Sequence, residues 1–166
     1  MTEDVAQPNI MVLGIGNVLH GDDGVGIHVI RALLQRRADA PDGRPVALLD
    51  GGTIGLALLA EIEDAGALIV IDAAEFGAEP GTVRIMIGAE MDAQLGGRKR
   101  TVHEVALADL MTAATLIGRR PERRALVAIQ PSSTDWMVEP TACVASAIPE
   151  ACNAVLTMIE RWDDAD

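Results

Sequence analysis

The sequence of 166 residues contains few aromatic side chains: two Trp, one Phe and no Tyr. Hydrophobic residues nevertheless make up 49% of the chain, so a folded core must be built from aliphatic side chains and Met. A chain of this length is long enough to bury a core without disulfides, and it is typical of one domain. We therefore expect a single domain over residues 1–166 with an aliphatic core.

Basic residues are also scarce, because 13 Lys and Arg face 25 Asp and Glu and leave a formal charge of −12. This excess of negative charge excludes general nucleic-acid binding, which needs a basic field to neutralise phosphates. It also argues against binding to anionic membrane surfaces. No apolar run approaches the roughly 20 residues that span a bilayer, and residues 1–8 lack the pattern of a signal peptide. We therefore expect a cytoplasmic protein.

Cysteine and histidine occur only two and three times, respectively. Cys143 and Cys152 would lie about 900° apart on a helix, so they face opposite sides and no internal disulfide is expected. The absence of a CxxC pair excludes a zinc knuckle and a thioredoxin-type motif. His103-Glu104 does not begin an HExxH zinc-peptidase motif, because Leu107 stands where the second histidine is needed.

Short apolar runs alternate with helical patterns along the chain. Strands are predicted at 10–14, 46–49, 67–71, 82–87 and 124–129, and helices at 22–37, 56–64, 103–117 and 140–162. The fourth strand follows the third too closely for a helical crossover, so it is predicted to be antiparallel. The polar, glycine-containing stretch 91–100 is predicted to be a loop. The fold class is therefore α/β, a three-layer α/β/α sandwich with a five-stranded, mostly parallel sheet.

Polar groups follow the predicted strands, and binding sites in open α/β sheets form beyond the carboxyl ends of strands. Three side chains on separate elements are competent to bind a metal: Asp23 after the first strand, Asp72 after the third, and His103 at the start of a helix. Carboxylate and imidazole suit Ni, Fe, Zn or Mn. The alternatives remain open at this point, since Asp23 and Asp72 are also suitable as caps and His103 as a surface histidine.

Two other classes match less well. Gly14 and Gly16 form half of a dinucleotide-binding fingerprint, but Leu19 occupies the position of the third glycine. The acidic residue expected about 20 residues further on has no clear match, because Asp50 lies much later. No GxSxG motif is present for a serine hydrolase. A dinucleotide-binding protein is therefore the less favoured alternative.

Several motifs occur in one order along most of the chain: GIGNVLHGDDGVG at 14–26, LDGGTIG at 49–55, Asp72-Ala73, PGT at 80–82, and His103 ahead of LADL at 107–110. In these motifs the chain resembles the hydrogenase maturation proteases, which process the large subunit of NiFe hydrogenases. The resemblance implies the same three-layer fold and a single protease domain. It also implies an endopeptidase that removes a C-terminal extension from the large-subunit precursor after nickel insertion.

The resemblance further implies the residues that form the site. Nickel-binding positions of the family carry over onto Asp23, Asp72 and His103, and Asp23 or Asp72 is the candidate catalytic base. The remaining candidates shape the loops around the site: Gly16, Asn17, Asp50, Gly51 and Gly52. Nickel is expected to arrive with the precursor, so the enzyme is expected to have no tightly bound cofactor of its own. A chain of this size with closed layers is also expected to be a monomer. A non-catalytic, metal-sensing chaperone of the same precursor is the alternative.

Overall fold

A five-stranded sheet lies at the centre of the computed structural model, which describes residues 10–39, 45–52, 56–97 and 102–165. The strands are β1 (Ile10–Ile15), β2 (Val46–Gly52), β3 (Ala67–Ala73), β4 (Val83–Ile87) and β5 (Arg123–Ile129). Their order across the sheet is β2-β1-β3-β5-β4. Strands β2, β1, β3 and β5 are parallel, and β4 pairs antiparallel with β5. The predicted fold class is therefore confirmed, including the single antiparallel strand.

Helices cover both faces of this sheet. They are α1 (Val25–Asp39), α2 (Leu59–Asp64), α3 (Ala89–Leu95), α4 (Val102–Leu116) and α5 (Ala142–Asp163). Buried side chains of α1 and α5 pack on one face, and those of α2, α3 and α4 pack on the other. Strand β3 is buried along its whole length, as expected for the middle strand of a sheet covered on both sides. The core is aliphatic as predicted, with Trp162 at its periphery.

The prediction of a loop over 91–100 was partly wrong, because α3 occupies the first half of this stretch. Met91 and Leu95 are four residues apart, so they share one helix face, and both are buried in the core. Asp92 between them receives hydrogen bonds from the guanidinium of Arg124. The short helix is stabilised by these tertiary contacts rather than by a strong local pattern, and residues 98–100 lie outside the described part.

The longest helix, α5, has 22 residues and is apolar enough to cross a membrane by length and composition. The expectation that no run approaches that length was therefore wrong. Val144, Val155 and Met158 of this helix belong to the core cluster on the α1 side of the sheet. Packing against the sheet thus accounts for the apolar character of α5. Its two cysteines are both free, with Cys143 exposed and Cys152 buried, as expected for positions that face opposite sides of one helix.

Candidate functional site

Asp72 lies near the carboxyl end of β3, the central strand, and is only 1% exposed. Side chains alternate across a strand, so Asp72 points to the same face as Leu68 and Val70, which pack with α4. Both of its carboxylate oxygens are buried, and no donor in the described part of the chain forms a hydrogen bond with them. Burial of a carboxylate without donors is costly, and strongly perturbed titratable groups cluster at functional sites, so Asp72 is a candidate site residue.

Asp23 reaches the same region from the loop after β1. A 3-10 turn at Gly21–Gly24 precedes α1 and buries Asp23, which is 7% exposed. The backbone N–H of Asn17 donates to Oδ2 of Asp23 over 3.1 Å. Because β1 and β3 are neighbours in the sheet, the two loops meet at one edge. The structure therefore brings the predicted site residues Asp23, Asp72 and Asn17 together.

A third carboxylate, Glu104 in the first turn of α4, joins these two and is 1% exposed. Burial raises the pKa of Asp72 well above its ordinary value, and the negative charges of Glu104 and Asp23 raise it further. The backbone N–H of Ala73 opposes this rise, although it does not meet hydrogen-bonding geometry. Carboxylates on two other elements therefore disfavour a negative charge on Asp72 at the end of the central strand, an effect that a cation would relieve.

In the sequence Glu104 stands only in an incomplete zinc-peptidase motif, and its place in the site is not predicted there. The signal that identifies it is helical periodicity, because Glu104 lies on the stripe formed by the buried residues Leu107 and Met111. His103 lies in the first turn of α4, but its side chain is outside the described residues. Its role as a ligand stays a prediction, and no three His, Cys, Asp or Glu side chains among those described form a metal-binding group.

Gly16 allows the loop after β1 to pass directly against Asp23. Its φ is +134°, and a Cβ at this position would overlap the carbonyl oxygen of Asp23. The backbone N–H of Gly16 also donates to the carbonyl of Gly52, at 3.0 Å, which links the ends of β1 and β2. The absence of a side chain at Gly16 therefore determines how closely the loop and Asp23 approach.

The predicted residues Asp50, Gly51 and Gly52 form the carboxyl end of β2, beside that loop. Asp50 is exposed, and its Oδ1 accepts a hydrogen bond from the backbone N–H of Gly52 over 2.9 Å. Gly51 packs against Leu13, because a Cβ at this position would lie 2.6 Å from the leucine side chain. In the structure these three residues therefore end β2, and the carboxylate of Asp50 caps the backbone N–H of Gly52.

Asp22, next to Asp23, anchors the loop between β5 and α5. It is fully buried, and its carboxylate accepts hydrogen bonds from the backbone N–H groups of Ser132, Ser133 and Thr141 over 2.6–2.9 Å. The hydroxyl of Thr141 is a fourth donor. Burial opposes ionisation of Asp22, but these donors outweigh it and lower the pKa of the carboxyl.

The family model described as hydrogenase maturation protease matches residues 27–158 of this chain. The chain belongs to the hydrogenase maturation protease family. The hydrogenase expression/formation protein HupD of Rhizobium leguminosarum bv. viciae is 35% identical over 156 residues, covering 93% of this chain and 76% of that protein. The hydrogenase 2 maturation protease of Escherichia coli K12 is 35% identical over 153 residues, covering 92% and 91%, respectively.

Solved structures of the family have the same fold. The hydrogenase maturating endopeptidase HybD from E. coli superposes with a TM-score of 0.83 at 32% identity, covering 92% of this chain and 93% of that one. The NiFe hydrogenase maturation protease HybD from Thermococcus kodakarensis superposes with a TM-score of 0.75 at 23% identity, covering 90% of this chain and 98% of that one, which supports the fold alone. The predicted family is thus confirmed.

In this maturation protease, replacing Asp22 by Asn is expected to lower the free energy of unfolding by about 1.5–3 kcal/mol, the range for hydrogen bonds to a charged group. The amide keeps one acceptor oxygen but turns an NH2 group toward the remaining donors. Urea unfolding measures the loss, and Asp135→Asn, an exposed aspartate of the same loop, is the matched control.

The Asp22→Asn effect should also depend on pH. Because the folded-state pKa of Asp22 is lowered, its stabilisation is present above the ordinary aspartate pKa and is lost as pH falls through the folded-state pKa. The difference between wild type and Asp22→Asn should therefore shrink below about pH 4. Equal stability of the two proteins at pH 7 would contradict the anchoring role.

Proposed function

We propose that this maturation protease is an endopeptidase that removes the C-terminal extension of a NiFe hydrogenase large-subunit precursor after nickel insertion. The observation that carries the proposal is the buried carboxylate of Asp72, which lacks donors among the described residues and lies beside Asp23 and Glu104. The proposed enzyme is a monomer that acts in the cytoplasm. The relatives support this activity, because E. coli HybD is named a hydrogenase maturating endopeptidase.

The chemistry of the donor set fits a metal ion that arrives on the precursor. Nickel accepts carboxylate and imidazole ligands, and the residues that would hold it are Asp23, Asp72 and His103. A cation at this point would favour the ionised form of Asp72, whose pKa burial and neighbouring charges otherwise raise. Precursors without nickel would lack this interaction, so differential binding selects the loaded precursor.

The residues of this chain then have distinct tasks in cleavage. A metal ion held by Asp23, Asp72 and His103 would supply polarisation of the carbonyl and a lower pKa of a nearby water molecule. Asp23 or Asp72 accepts the proton of the attacking water as general base. Gly16 and Asn17 keep the loop in place around Asp23, since Asn17 donates to its carboxylate. Glu104 of the flanking α4 is buried beside these two carboxylates.

The direct test incubates the purified protein with nickel-loaded precursor and follows the precursor by mass spectrometry. We expect a loss of mass that corresponds to the C-terminal extension, whereas metal-free precursor should stay intact. Complex formation without shortening would support the non-catalytic chaperone instead. Thermal stabilisation by NAD or FAD would support the dinucleotide alternative.

Replacing His103 by Ala should reduce the rate of processing at least about 100-fold, since even partners of metal ligands contribute roughly 10–100-fold. Val105→Ala, an exposed position two residues further along α4, is the matched control and should process normally. Circular dichroism checks that both variants are folded. Processing by His103→Ala at the rate of the control would remove histidine from the proposed ligand set.

A further inference from the structure

Four exposed apolar side chains form a surface on the two loops that follow β1 and β5: Leu19, Trp136, Met137 and Val138, here called the apolar patch. Trp136 is 76% exposed and Val138 is 65% exposed. Contiguous exposed apolar side chains on a folded domain mark interaction sites. Tryptophan in particular contributes a large share of the energy at protein interfaces.

Hydrogen bonds hold the two loops of the apolar patch together. The backbone N–H of Met137 donates to the carbonyl of Leu19 over 3.0 Å, and the N–H of Gly21 donates to the carbonyl of Met137 over 2.7 Å. The ring of His20 lies 4.7 Å from the ring of Trp136. The patch is therefore a fixed surface, which lowers the entropic cost of binding a partner.

The apolar patch is joined to the carboxylate site through adjacent residues. Asp22 binds the β5–α5 loop through Ser132, Ser133 and Thr141, and the next residue is Asp23. The same loop therefore carries the patch at Leu19 and a site carboxylate at Asp23. A polypeptide that lies across the patch is held next to the site.

The charge around the apolar patch indicates the chemistry of its partner. Asp135 and Glu139 are exposed on either side of the apolar residues, and segments 17–24 and 131–142 contain no Lys or Arg. A second copy of this chain, with its net charge of −12, would place acidic groups against acidic groups. Anionic lipids and nucleic acids are disfavoured for the same reason. The complementary partner is a polypeptide segment with apolar side chains next to Lys or Arg.

We propose that the apolar patch binds such a basic and apolar segment of the hydrogenase large-subunit precursor, away from the bond that is cut. This inference rests on the proposed function, since the occupant is the substrate of the same protease. The patch then contributes to precursor affinity, while the carboxylates act on the nickel-bearing part. The patch adds a specificity for the precursor that neither the metal ligands nor the catalytic base provides.

The kinetic test compares Trp136→Ala and Val138→Ser with Leu116→Ser, an exposed apolar position at the far end of α4. We expect KM for nickel-loaded precursor to rise about tenfold or more in Trp136→Ala, in line with the loss of an interface tryptophan. The kcat should stay within about twofold, because the patch does not touch the reacting bond. Leu116→Ser should leave both constants unchanged.

The charge test uses the double variant Asp135→Asn, Glu139→Gln. The KM of the wild type should rise with added NaCl, and the double variant should lose most of this dependence, because its acidic groups no longer attract basic groups.

Tryptophan fluorescence measures contact with the patch directly. Trp136 is exposed whereas Trp162 is buried, so precursor binding should shift the wild-type emission to shorter wavelength, and Trp136→Phe should not show this shift.

The outcomes separate the patch from the protease activity. If the wild type shortens the precursor and Trp136→Ala has an unchanged KM, the patch proposal fails and the proposed function stands. If no precursor is shortened, calorimetric titration of wild type and Trp136→Ala with nickel-loaded precursor decides. Weaker binding by the variant supports the patch, and equal binding overturns it. A wild-type dimer that dissociates on Trp136→Ala substitution would overturn it too, since the occupant is then a second copy.

Discussion

Asp72→Asn is expected to abolish precursor processing and at the same time to stabilise the fold at neutral pH. Loss of a general base or metal ligand should reduce the rate by about 10²–10⁴-fold. The stability gain arises because the native carboxylate is buried without hydrogen-bond donors among the described residues and faces the charges of Glu104 and Asp23. An asparagine of nearly the same shape has no charge to bury, so a gain of about 0.5–2 kcal/mol is expected.

The sign of the pH dependence follows from the pKa of Asp72, which is raised in the folded state. The wild type is then most stable, relative to Asp72→Asn, below the unfolded aspartate pKa of about 3.9. That advantage is lost as pH rises through the folded-state pKa. The melting temperature of the variant should therefore exceed that of the wild type by a margin that grows as pH rises above about 4 and becomes constant once pH exceeds the folded-state pKa of Asp72.

Thermal unfolding followed by circular dichroism measures this margin, and precursor processing is assayed on the same preparations. Asp64→Asn, an exposed aspartate at the end of α2, controls for the change of aspartate to asparagine. It should alter neither stability nor processing. An Asp72→Asn protein that is less stable than the wild type at every pH would show that the carboxylate is structural.

The convergence of Asp23 and Asp72 could be predicted from sequence, because it depends only on which strands are neighbours. Short apolar runs predict that β1 and β3 are strands of a parallel sheet. The carboxyl ends of parallel strands lie at one edge of the sheet. The antiparallel β4 was predictable for a similar reason, since 82–87 follows β3 without room for a crossover. The spacing of apolar residues and the lengths of the connections thus predict most of the strand topology.

Contacts between distant segments could not be predicted in this way. The partners of Asp22 lie 110 to 119 residues further along the chain, and no local pattern encodes that contact. Helix α3 was missed because its stability comes from burying Met91 and Leu95 and from the pairing of Asp92 with Arg124. Local composition there, rich in polar residues and glycine, is typical of a loop.

Gly16→Ala is expected to destabilise the protein by about 2–5 kcal/mol, the sum of backbone strain and overpacking. A φ of +134° is unfavourable for an L-residue, and the new Cβ would overlap the carbonyl oxygen of Asp23. Either the loop or the 3-10 turn at Gly21–Gly24 must move. Asp23 would then leave its position, and a shift of about 1 Å in a reacting group costs roughly 100-fold in rate.

Gly77→Ala is the matched control, because Gly77 has a φ of +74° but a Cβ added there would have no heavy atom within 4 Å. It should lose only the backbone contribution of about 1–2 kcal/mol and process the precursor normally. Urea unfolding compares the stabilities, and processing is measured at a temperature where all variants are folded. If Gly16→Ala is no less stable and no slower than Gly77→Ala, close contact between this loop and Asp23 is not what positions the carboxylate.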